Sequence, residues 1–296
     1  MGQPSTELAA LNAADRDAFV AALGGIFENA PWVAQRACAQ RPFATVADLH
    51  RALMAAVTGA GEAEQMAFIR GHPELGGKVA RAGAMTAESR QEQGGLGLDR
   101  LSEAEFARFE RLNADYRARF GMPFVICVRR HTRDSILASF ERRLANAPQA
   151  EHAAALEEIR YITRLRLVEA VNGPGKPKTE GRLSTHVLDT VSGKPAAGVK
   201  VILKELGSSA EGLLKETVTN ADGRTDAPLL GGGPLRIGTY EIGFHIGAYF
   251  AAHAVAASLP PFLDVVPIRF GIAEPEGHYH VPLLASPWAY STYRGS

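Results

Sequence analysis

The sequence is poor in cysteine and has no excess of charge of either sign. Its 296 residues include only Cys38 and Cys127, which lie far apart in helical and apolar stretches without metal-ligand spacing. No disulfide framework is implied, and we expect a protein of a reducing compartment, the cytoplasm. Lys plus Arg and Asp plus Glu number 32 each, so no overall basic field indicates nucleic acid as a partner.

Long apolar runs are also absent. No stretch approaches the roughly 20 apolar residues that span a bilayer, and the N-terminus lacks the basic and apolar regions of a secretion signal. We therefore expect no membrane partner. With 46% hydrophobic and 22% charged residues the composition is that of a globular protein, and the length favours two domains of roughly 100 to 200 residues. A small-molecule partner fits this composition best.

The first half of the chain follows a helical period. Apolar residues recur at helical spacing from Asp15 to Val171, and β-branched residues are sparse. The best-defined helix starts at a capping box of Ser102 and Glu105. Its apolar stripe consists of Phe106, Phe109, Leu112, Tyr116 and Phe120. The pattern predicts an all-α, bundle-like domain over residues 1–171.

The second half follows a period of two. It is preceded by residues 172–181, which contain two prolines and no large apolar side chain and therefore predict a linker. Beyond them, three segments that start at Val199, Tyr240 and Val266 have an apolar side chain at every second position. This alternation is expected of strands with one buried face. We predict an all-β sandwich over residues 182–296, with one short helix over 249–257.

Polar residues that suit a reactive site recur in this second half. They are His186, Arg224, the strand neighbours His278 and His280, and the terminal residues 293–296. Taken alone, either His278 or His280 could be a solvent-exposed histidine without a functional role. A metal site would need a third ligand, and neither cysteine nor a carboxylate cluster supplies one. The combination of histidines, arginine and terminal hydroxyls favours a polar site.

These segments resemble the 5-hydroxyisourate hydrolases, transthyretin-related enzymes of urate breakdown, over about residues 182–296. The terminal Tyr-Arg-Gly-Ser is specific to them, because transthyretin, a hormone carrier of the same fold, lacks it. The resemblance implies a transthyretin-like sandwich and a tetramer with sites at subunit interfaces. It implies the catalytic residues His186, Arg224, His280 and Ser296, with Tyr293 and Arg294 at the substrate.

The chemistry of these residues suits hydrolysis of a cyclic amide. A neutral imidazole can take a proton from water near pH 7, and either His186 or His280 could be that base. Arg224 can hold an oxyanion, and hydroxyls of Ser296 or Tyr293 could position the ring or the water. Arg269 is either a second anion contact or a strand residue on a solvated face.

The helical half has a polar cluster of its own. His72-Pro73 follows a helix that ends near Gly71, and Ser89 and Glu92 share one face of a short helix before Gly94-Gly95. The alternative interpretation of His72 is a histidine that caps the helix end, and that of Ser89 and Glu92 is an ordinary capped surface helix. No phosphate loop is present, because no Gly-Lys-Ser/Thr follows the glycines.

With residues 120–127 and 143–146, these segments resemble the decarboxylases of 2-oxo-4-hydroxy-4-carboxy-5-ureidoimidazoline (OHCU) over about residues 15–171. The resemblance implies a helical domain that needs no metal or organic cofactor and uses His72 and Glu92 in catalysis. It places at the substrate Pro73, Ser89, Gln93, Phe124, Val125, Ile126, Cys127 and a late helical arginine. Arg166 fits that arginine, because it shares the inward helix face of Ile159 and Ile162, whereas Arg164 does not. We expect His72 to handle the proton and Glu92 to orient, although the reverse division is open.

The two resemblances imply consecutive reactions. The hydrolase product is the decarboxylase substrate, so the chain is expected to convert 5-hydroxyisourate to OHCU and then to (S)-allantoin. It would be a cofactor-free homo-oligomer, its C-terminal domain a tetramer and its N-terminal domain open to dimer formation. One alternative is a decarboxylase carrying a non-catalytic transthyretin-like binding or assembly module. Another is a metal-dependent cyclic amidohydrolase.

Overall fold

The chain forms two compact units in the computed structural model, which describes residues 5–76, 86–98, 101–207, 212–253, 255 and 258–295. One unit comprises Met1–Arg129 and Ile136–Thr179, and the other comprises Arg130–Ser135 and Glu180–Ser296.

The N-terminal part is helical. Before residue 171, the described residues contain nine α-helices: α1 Leu8–Ala13, α2 Arg16–Ala22, α3 Pro31–Ala37, α4 Val46–Thr58, α5 Glu62–Arg70, α6 Ala87–Gly95, α7 Glu103–Phe120, α8 Arg133–Leu144 and α9 Pro148–Ala170. Two short strands, β1 Thr6–Glu7 and β2 Val171–Asn172, pair in parallel at the two ends of this unit. The all-α architecture predicted for this half is confirmed.

Helix α7 begins and ends where the sequence predicts. Ser102 accepts from the Glu105 N–H while the Glu105 carboxylate accepts from the Ser102 N–H, which satisfies two free donors of the first turn. Gly121 ends the helix at a φ of 66°, a conformation that favours glycine. Four helices, α2, α4, α7 and α8, supply large, fully buried side chains to the core of the unit: Phe19, Leu49, Leu53, Phe109, Tyr116 and Phe140.

The segment after β2 is bonded to helix α4. The carbonyls of Pro174 and Gly175 accept from the N–H groups of Val46 and Ala47 at 3.0 and 3.1 Å. These N–H groups belong to the first turn of α4, where a helix leaves its donors without internal partners. The segment therefore caps a helix of the first unit.

The C-terminal unit is built from strands. They are β3 Gly181–Ser184, β4 Val187–Asp189, β5 Lys194–Pro195, β6 Lys200–Leu206, β7 Gly212–Val218, β8 Leu230–Gly233, β9 Gly238–His245, β10 Val265–Ile272, β11 His278–His280, β12 Leu283–Ala285 and β13 Tyr290–Thr292. They form sheets of order β10-β9-β6-β7, β11-β3-β8 and β13-β12-β4-β5. The core draws on all three, with Leu183, Val201, Ile242, Val266 and Leu283 buried. The all-β fold predicted for this half is confirmed.

The predicted alternation holds in the long strands, but the predicted helix is displaced. Val201 and Leu203 of β6 and Tyr240, Ile242 and Phe244 of β9 are fully or almost fully buried. The helix is α10, Ile246–Ala252, and starts three residues before the predicted start. Ile246 continues the apolar alternation of β9, which hides the change of backbone conformation from a pattern search. In the described part of the chain, no helix is long and apolar enough to cross a bilayer.

Candidate active sites

A cavity opens among the turn after α5, the helices α6 and α9, and the segment after α7. Nine of the ten residues predicted for the helical half line it: His72, Pro73, Ser89, Glu92, Gln93, Phe124, Val125, Ile126 and Arg166. Leu75, Val128 and Ile162 complete the wall. Its mixture of apolar surface with a few polar groups is typical of a small-ligand site.

His72 enters this cavity with a defined tautomer. Its Nδ1 lies 3.1 Å from the carbonyl of Phe68, and because a carbonyl only accepts, Nδ1 carries the hydrogen. In the neutral ring Nε2 is then the atom that can accept a proton. Burial lowers the pKa of His72, which keeps the ring neutral at pH 7. The ring also packs edge-on against Phe68, 5.0 Å between centroids.

Arg166 is held between two carboxylates. Its Nε and Nη2 donate to both oxygens of Glu92 at 3.0 and 2.8 Å, and its Nη1 donates to Glu28 at 3.1 Å. The remaining donors reach Ser89 Oγ at 3.2 Å and the Gly25 carbonyl at 3.5 Å. All five N–H groups of the guanidinium thus have acceptors. The arrangement fixes Glu92 from both oxygens, which favours an orienting role for this carboxylate.

Glu28 is a site residue that the sequence patterns did not indicate. It is 4% exposed and accepts from Thr86 Oγ1 at 2.7 Å and Ser89 Oγ at 2.9 Å. Burial alone would raise the pKa of Glu28, but the Thr86 hydrogen bond and the charge of Arg166 lower it. A buried, ionised carboxylate therefore anchors Ser89 and Arg166 from behind.

Replacing Glu28 with glutamine is expected to destabilise the helical unit by about 1–3 kcal/mol and to lower its activity. The glutamine amide has no charge to face Arg166. Its NH₂ group would also point at groups that donate to Glu28 in the unmodified protein, such as the hydroxyls of Thr86 and Ser89. Glu64→Gln is the matched control, since Glu64 pairs with Arg36 at an exposed position and is expected to cost about 1 kcal/mol or less. Thermal unfolding of both variants checks this. Equal stability losses in the two variants would contradict a stabilising role for the buried Glu28–Arg166 ion pair.

Gln93 shapes the rim of the cavity. Its Oε1 accepts from the Gly76 N–H at 3.2 Å, and its Nε2 reaches the Glu74 carbonyl at 3.4 Å. Asn113 Nδ2 donates to the Leu75 carbonyl at 2.9 Å. The turn that follows His72 and Pro73 is thus held by side chains of two other helices.

A buried ionic network supports the opposite wall. Arg143 is almost fully buried and donates to the Val125 carbonyl at 2.8 Å and to Glu151 at 2.8 Å. Its guanidinium carbon also lies 4.4 Å from the Phe124 ring centroid. Tyr116 donates to the same Glu151 carboxylate. Arg143 therefore sets the position of residues 124–125 at the cavity.

The predicted residue Cys127 and the alternative arginine, Arg164, both lie outside the lining of this cavity. Arg164 lies against the Tyr161 ring, 5.3 Å from its centroid, rather than in the cavity that Arg166 enters. Cys127 is buried outside the cavity wall, and its N–H donates to Glu158 at 2.9 Å. Cys127 directly follows Phe124, Val125 and Ile126, which line the cavity, and this explains why the sequence analysis placed all four at the substrate.

The second site is a row of imidazoles in the β unit. Strand β11 pairs in parallel with β3 so that His280 lies opposite Ser184. His280 Nε2 is 2.7 Å from His186 Nδ1, and the two rings stack with 4.9 Å between centroids. Ser184 Oγ lies 2.9 Å from His280 Nδ1 and 3.0 Å from His278 Nε2. Two predicted residues, His186 and His280, are thus in direct contact.

The surroundings keep both central rings neutral. Burial, followed by the charge of Arg224, lowers the pKa of His186. Burial, followed by the charges of His186 and Arg224, lowers the pKa of His280. A neutral imidazole is the form that accepts a proton, as general-base catalysis requires.

Arg224 joins the site through the backbone. It forms an antiparallel bridge with His186, and the Gly223 carbonyl accepts from the Val187 N–H at 2.8 Å. A Cβ on Gly223, whose φ is 69°, would lie 2.4 Å from the Val187 carbonyl oxygen. Only glycine therefore permits this approach of the Asp222-Gly223 turn to the histidine strand.

The C-terminal tail runs past His280. The Gly295 N–H donates to the His280 carbonyl at 2.9 Å, and a Cβ on Gly295 would lie 2.8 Å from the ring carbon Cδ2. Arg294 turns away from the imidazoles, with its guanidinium carbon 4.8 Å from the Tyr279 ring centroid. Tyr293 is 54% exposed. The predicted catalytic residue Ser296 lies outside the described residues, directly after Gly295.

Other observations bear on the alternatives. Arg269 pairs with Glu241 at 2.7 Å on an exposed strand face, as expected of a solvated residue. Among the residues that the structure describes, no group of three or more His, Cys, Asp and Glu has the arrangement of a metal site. Glu28 and Ser184 are site residues that the sequence analysis did not include, whereas His278 was among its polar candidates without a catalytic role. The strand period places His278 beside His280, but nothing local points to Ser184 or Glu28.

Two polar sites, one in a helical cavity and one on a β-sheet, define a two-domain protein with acid–base groups in each domain. An OHCU decarboxylase family model matches residues 12–168, and a HIUase/transthyretin family model matches residues 183–295. The chain belongs to both families, the first through its N-terminal and the second through its C-terminal domain. Both families act on small molecules.

Curated relatives match each domain separately. A 5-hydroxyisourate hydrolase of Deinococcus radiodurans is 58% identical over 114 residues, which are 38% of this chain and 95% of the relative. An OHCU decarboxylase of Haloferax volcanii is 42% identical over 159 residues, which are 54% of this chain and 92% of the relative. A crystal structure of (S)-allantoin synthase is 34% identical over 98% of this chain and 100% of that one, with a TM-score of 0.52. This last similarity extends over both domains.

Proposed function

We propose that the chain hydrolyses 5-hydroxyisourate to OHCU in its C-terminal domain, residues 182–296, and decarboxylates OHCU to (S)-allantoin in its N-terminal domain, residues 1–171, with residues 172–181 as the linker. The observation that carries the proposal is the presence, in one chain, of the His186–His280 pair in a hydrolase-family domain and the His72, Glu92 and Arg166 cavity in a decarboxylase-family domain.

Hydrolysis of a cyclic amide requires a base for water and an acid for the leaving nitrogen. In the proposal, the imidazole pair takes a proton as water oxygen bonds to the carbonyl carbon. It returns the proton to nitrogen as the C–N bond breaks. Arg224 holds the oxyanion that develops between these steps. His186 is the better placed ring to face the water: both nitrogens of His280 are engaged, by His186 and Ser184, whereas His186 uses only Nδ1 for its contact with His280.

Decarboxylation breaks a C–C bond and leaves an electron pair on a ring carbon. The conjugated imidazoline accepts this pair, so the protein's task is to orient the leaving carboxylate and to supply a proton to one face. We assign proton handling to Nε2 of His72, because Nδ1 is engaged by the Phe68 carbonyl. Glu92, fixed by Arg166, orients the substrate. Ser89 and Gln93 add polar contacts, and Phe124 to Ile126 give an apolar wall.

The proposal is tested by following freshly generated 5-hydroxyisourate with purified protein. We expect its ultraviolet absorbance to decay faster than in buffer, with release of one CO₂ per molecule consumed. Fast decay without accelerated CO₂ release would remove the decarboxylase assignment. An unchanged decay with fast CO₂ release from separately prepared OHCU would leave the C-terminal domain as a binding or assembly module. Activity that chelator treatment removes would favour the metal-dependent amidohydrolase.

Hydrolysis is expected to keep its rate as the pH falls below 6.5. The ordinary pKa of a histidine is 6.5, and burial with neighbouring positive charge lowers the pKa of His186 and His280. The catalytic base works in its neutral form, so a lowered pKa moves the loss of activity to lower pH. A profile of kcat/KM against pH checks this. An acid limb with its midpoint at or above 6.5 would be inconsistent with the site described.

We also propose that the protein works as a cytoplasmic homo-oligomer, tetrameric through the β domain and dimeric through the helical domain. Exposed apolar side chains on the edge strand β7, Leu213, Leu214 and Val218, support association of the β domain. Trp288 and Tyr290 near the C-terminus are also exposed. Analytical ultracentrifugation of the full chain tests the assembly, and a monomer at micromolar concentration would overturn it.

A further inference from the structure

Four polar groups form an unbroken hydrogen-bonded row across the strands β3 and β11 and the short link between β3 and β4. The row runs from His186 through His280 and Ser184 to His278, with separations of 2.7, 2.9 and 3.0 Å between the bonded atoms. His186, His280 and Ser184 are partly buried, whereas His278 is exposed. The row thus connects the catalytic pair with solvent.

The single hydroxyl hydrogen of Ser184 makes the row directional. Ser184 Oγ contacts two ring nitrogens but has one hydrogen, and a row that passes a proton uses that hydrogen toward one ring and a lone pair toward the other. If it accepts from His280 Nδ1, then His280 Nε2 accepts from His186 Nδ1, and His186 Nε2 presents a lone pair. If it donates to His280 Nδ1, every bond reverses, and His186 Nε2 carries a hydrogen. Ser184 therefore decides whether His186 is a base or an acid.

We infer that Ser184 is a positioning residue that holds His280 in its Nδ1–H tautomer and relays a proton between His280 and His278. The inference rests on the proposed hydrolase function and deepens it. As water attacks, His186 Nε2 takes its proton, the Nδ1 proton of His186 moves to His280 Nε2, and the Nδ1 proton of His280 moves to Ser184 Oγ. The Ser184 hydroxyl proton moves to His278 Nε2, and His278 releases its Nδ1 proton to solvent.

The row conserves charge within the protein. One proton enters at His186 and one leaves at His278, so no buried imidazolium persists. This matters because positive groups already surround the rings: burial and the charges of His186, Arg224, His278 and Arg182 lower the pKa of His280. The reversed row, with a hydrogen on His186 Nε2, is the acid that the leaving nitrogen needs. A proton then returns from solvent through His278.

Nuclear magnetic resonance of ¹⁵N-histidine protein tests the tautomers without reference to activity. In the full chain at pH 7.5 we expect Nδ1–H tautomers for His186 and His280. In Ser184→Ala, His280 loses its Nδ1 acceptor, and both rings are expected to shift to the Nε2–H tautomer that free imidazole side chains favour. Ser184→Thr keeps the hydroxyl and should keep the Nδ1–H pattern. Nε2–H tautomers in the unmodified chain, or no shift in Ser184→Ala, would overturn the inference.

Kinetics of the same variants test the relay. We expect Ser184→Ala to lower kcat for 5-hydroxyisourate on the order of 10-fold, less than loss of a primary acid–base group, with KM within about twofold and restoration by Ser184→Thr. A plot of the rate against the deuterium fraction in mixtures of H₂O and D₂O should be curved for the unmodified chain, because several protons move together. The same plot should be linear for Ser184→Ala. A normal kcat in Ser184→Ala, or equal losses in both variants, would overturn the relay. An unmodified chain without hydrolase activity would instead refute the proposed function, and the tautomers would still report on Ser184.

Discussion

Replacing His280 with glutamine is expected to lower kcat/KM for 5-hydroxyisourate on the order of 10³-fold. Glutamine can keep a hydrogen bond to Ser184 or His186, but it has no proton to exchange near pH 7. In the variant, His186 would face a glutamine amide in place of the imidazole that lies 2.7 Å away, and the amide can neither accept nor relay a proton. Stopped-flow absorbance of 5-hydroxyisourate decay measures the effect.

His253→Gln is the matched control for this prediction. His253 lies in the same unit, at the end of α10, and its Nδ1 bonds the Tyr249 carbonyl at 2.9 Å, away from the imidazole row. It should keep normal hydrolysis, and both variants should keep normal decarboxylation of OHCU. If His280→Gln retained more than about a tenth of the rate, against the usual 10²–10⁴-fold contribution of acid–base catalysis, the pair would not be the catalytic group.

Replacing His72 with asparagine is expected to lower decarboxylation of OHCU by about 10²- to 10⁴-fold. Asparagine can preserve the hydrogen bond to the Phe68 carbonyl, but it leaves nothing at the position of Nε2 to carry a proton. Burial lowers the pKa of His72, so the neutral ring is the form that the change removes. Release of CO₂ from separately prepared OHCU is the measurement.

His152→Asn controls for a histidine loss in the same domain. His152 lies near the start of α9 beside a different groove, with Met66 and Phe120, and is expected to leave decarboxylation unchanged. Hydrolysis by the C-terminal domain should be normal in both variants. A His72→Asn protein that decarboxylates at the unmodified rate would show that Glu92 or another group handles the proton.

The elements that could be predicted are those whose signals are local. The capping box of Ser102 and Glu105 and the αL glycine Gly121 act within one helical turn, so the limits of α7 could be read from sequence. The start of α10 could not, because Ile246 fits both the strand period of β9 and the apolar face of a helix. At Ile246 the packing of the folded chain, rather than the spacing of apolar residues, decides whether the backbone is extended or helical.

Much the same distinction separates the site residues. His72 and Glu92 stand in motifs that resemble a family, and the structure places both at one cavity. Glu28 reaches Arg166 across 138 positions, and Ser184 reaches His280 across 96. A lone glutamate in Ile26-Phe27-Glu28 and a strand serine carry no spacing that reveals such partners. Their roles follow only from the folded chain.

Circular dichroism during turnover reports which enantiomer of allantoin the protein forms. Purified protein would be mixed with freshly generated 5-hydroxyisourate, beside a buffer control and a separate 5-hydroxyisourate hydrolase. We expect rapid growth of the (S)-allantoin signal with the protein, and slow formation of racemic allantoin, which gives no signal, with the hydrolase alone. Racemic product from the protein would contradict a decarboxylase that delivers its proton to one face.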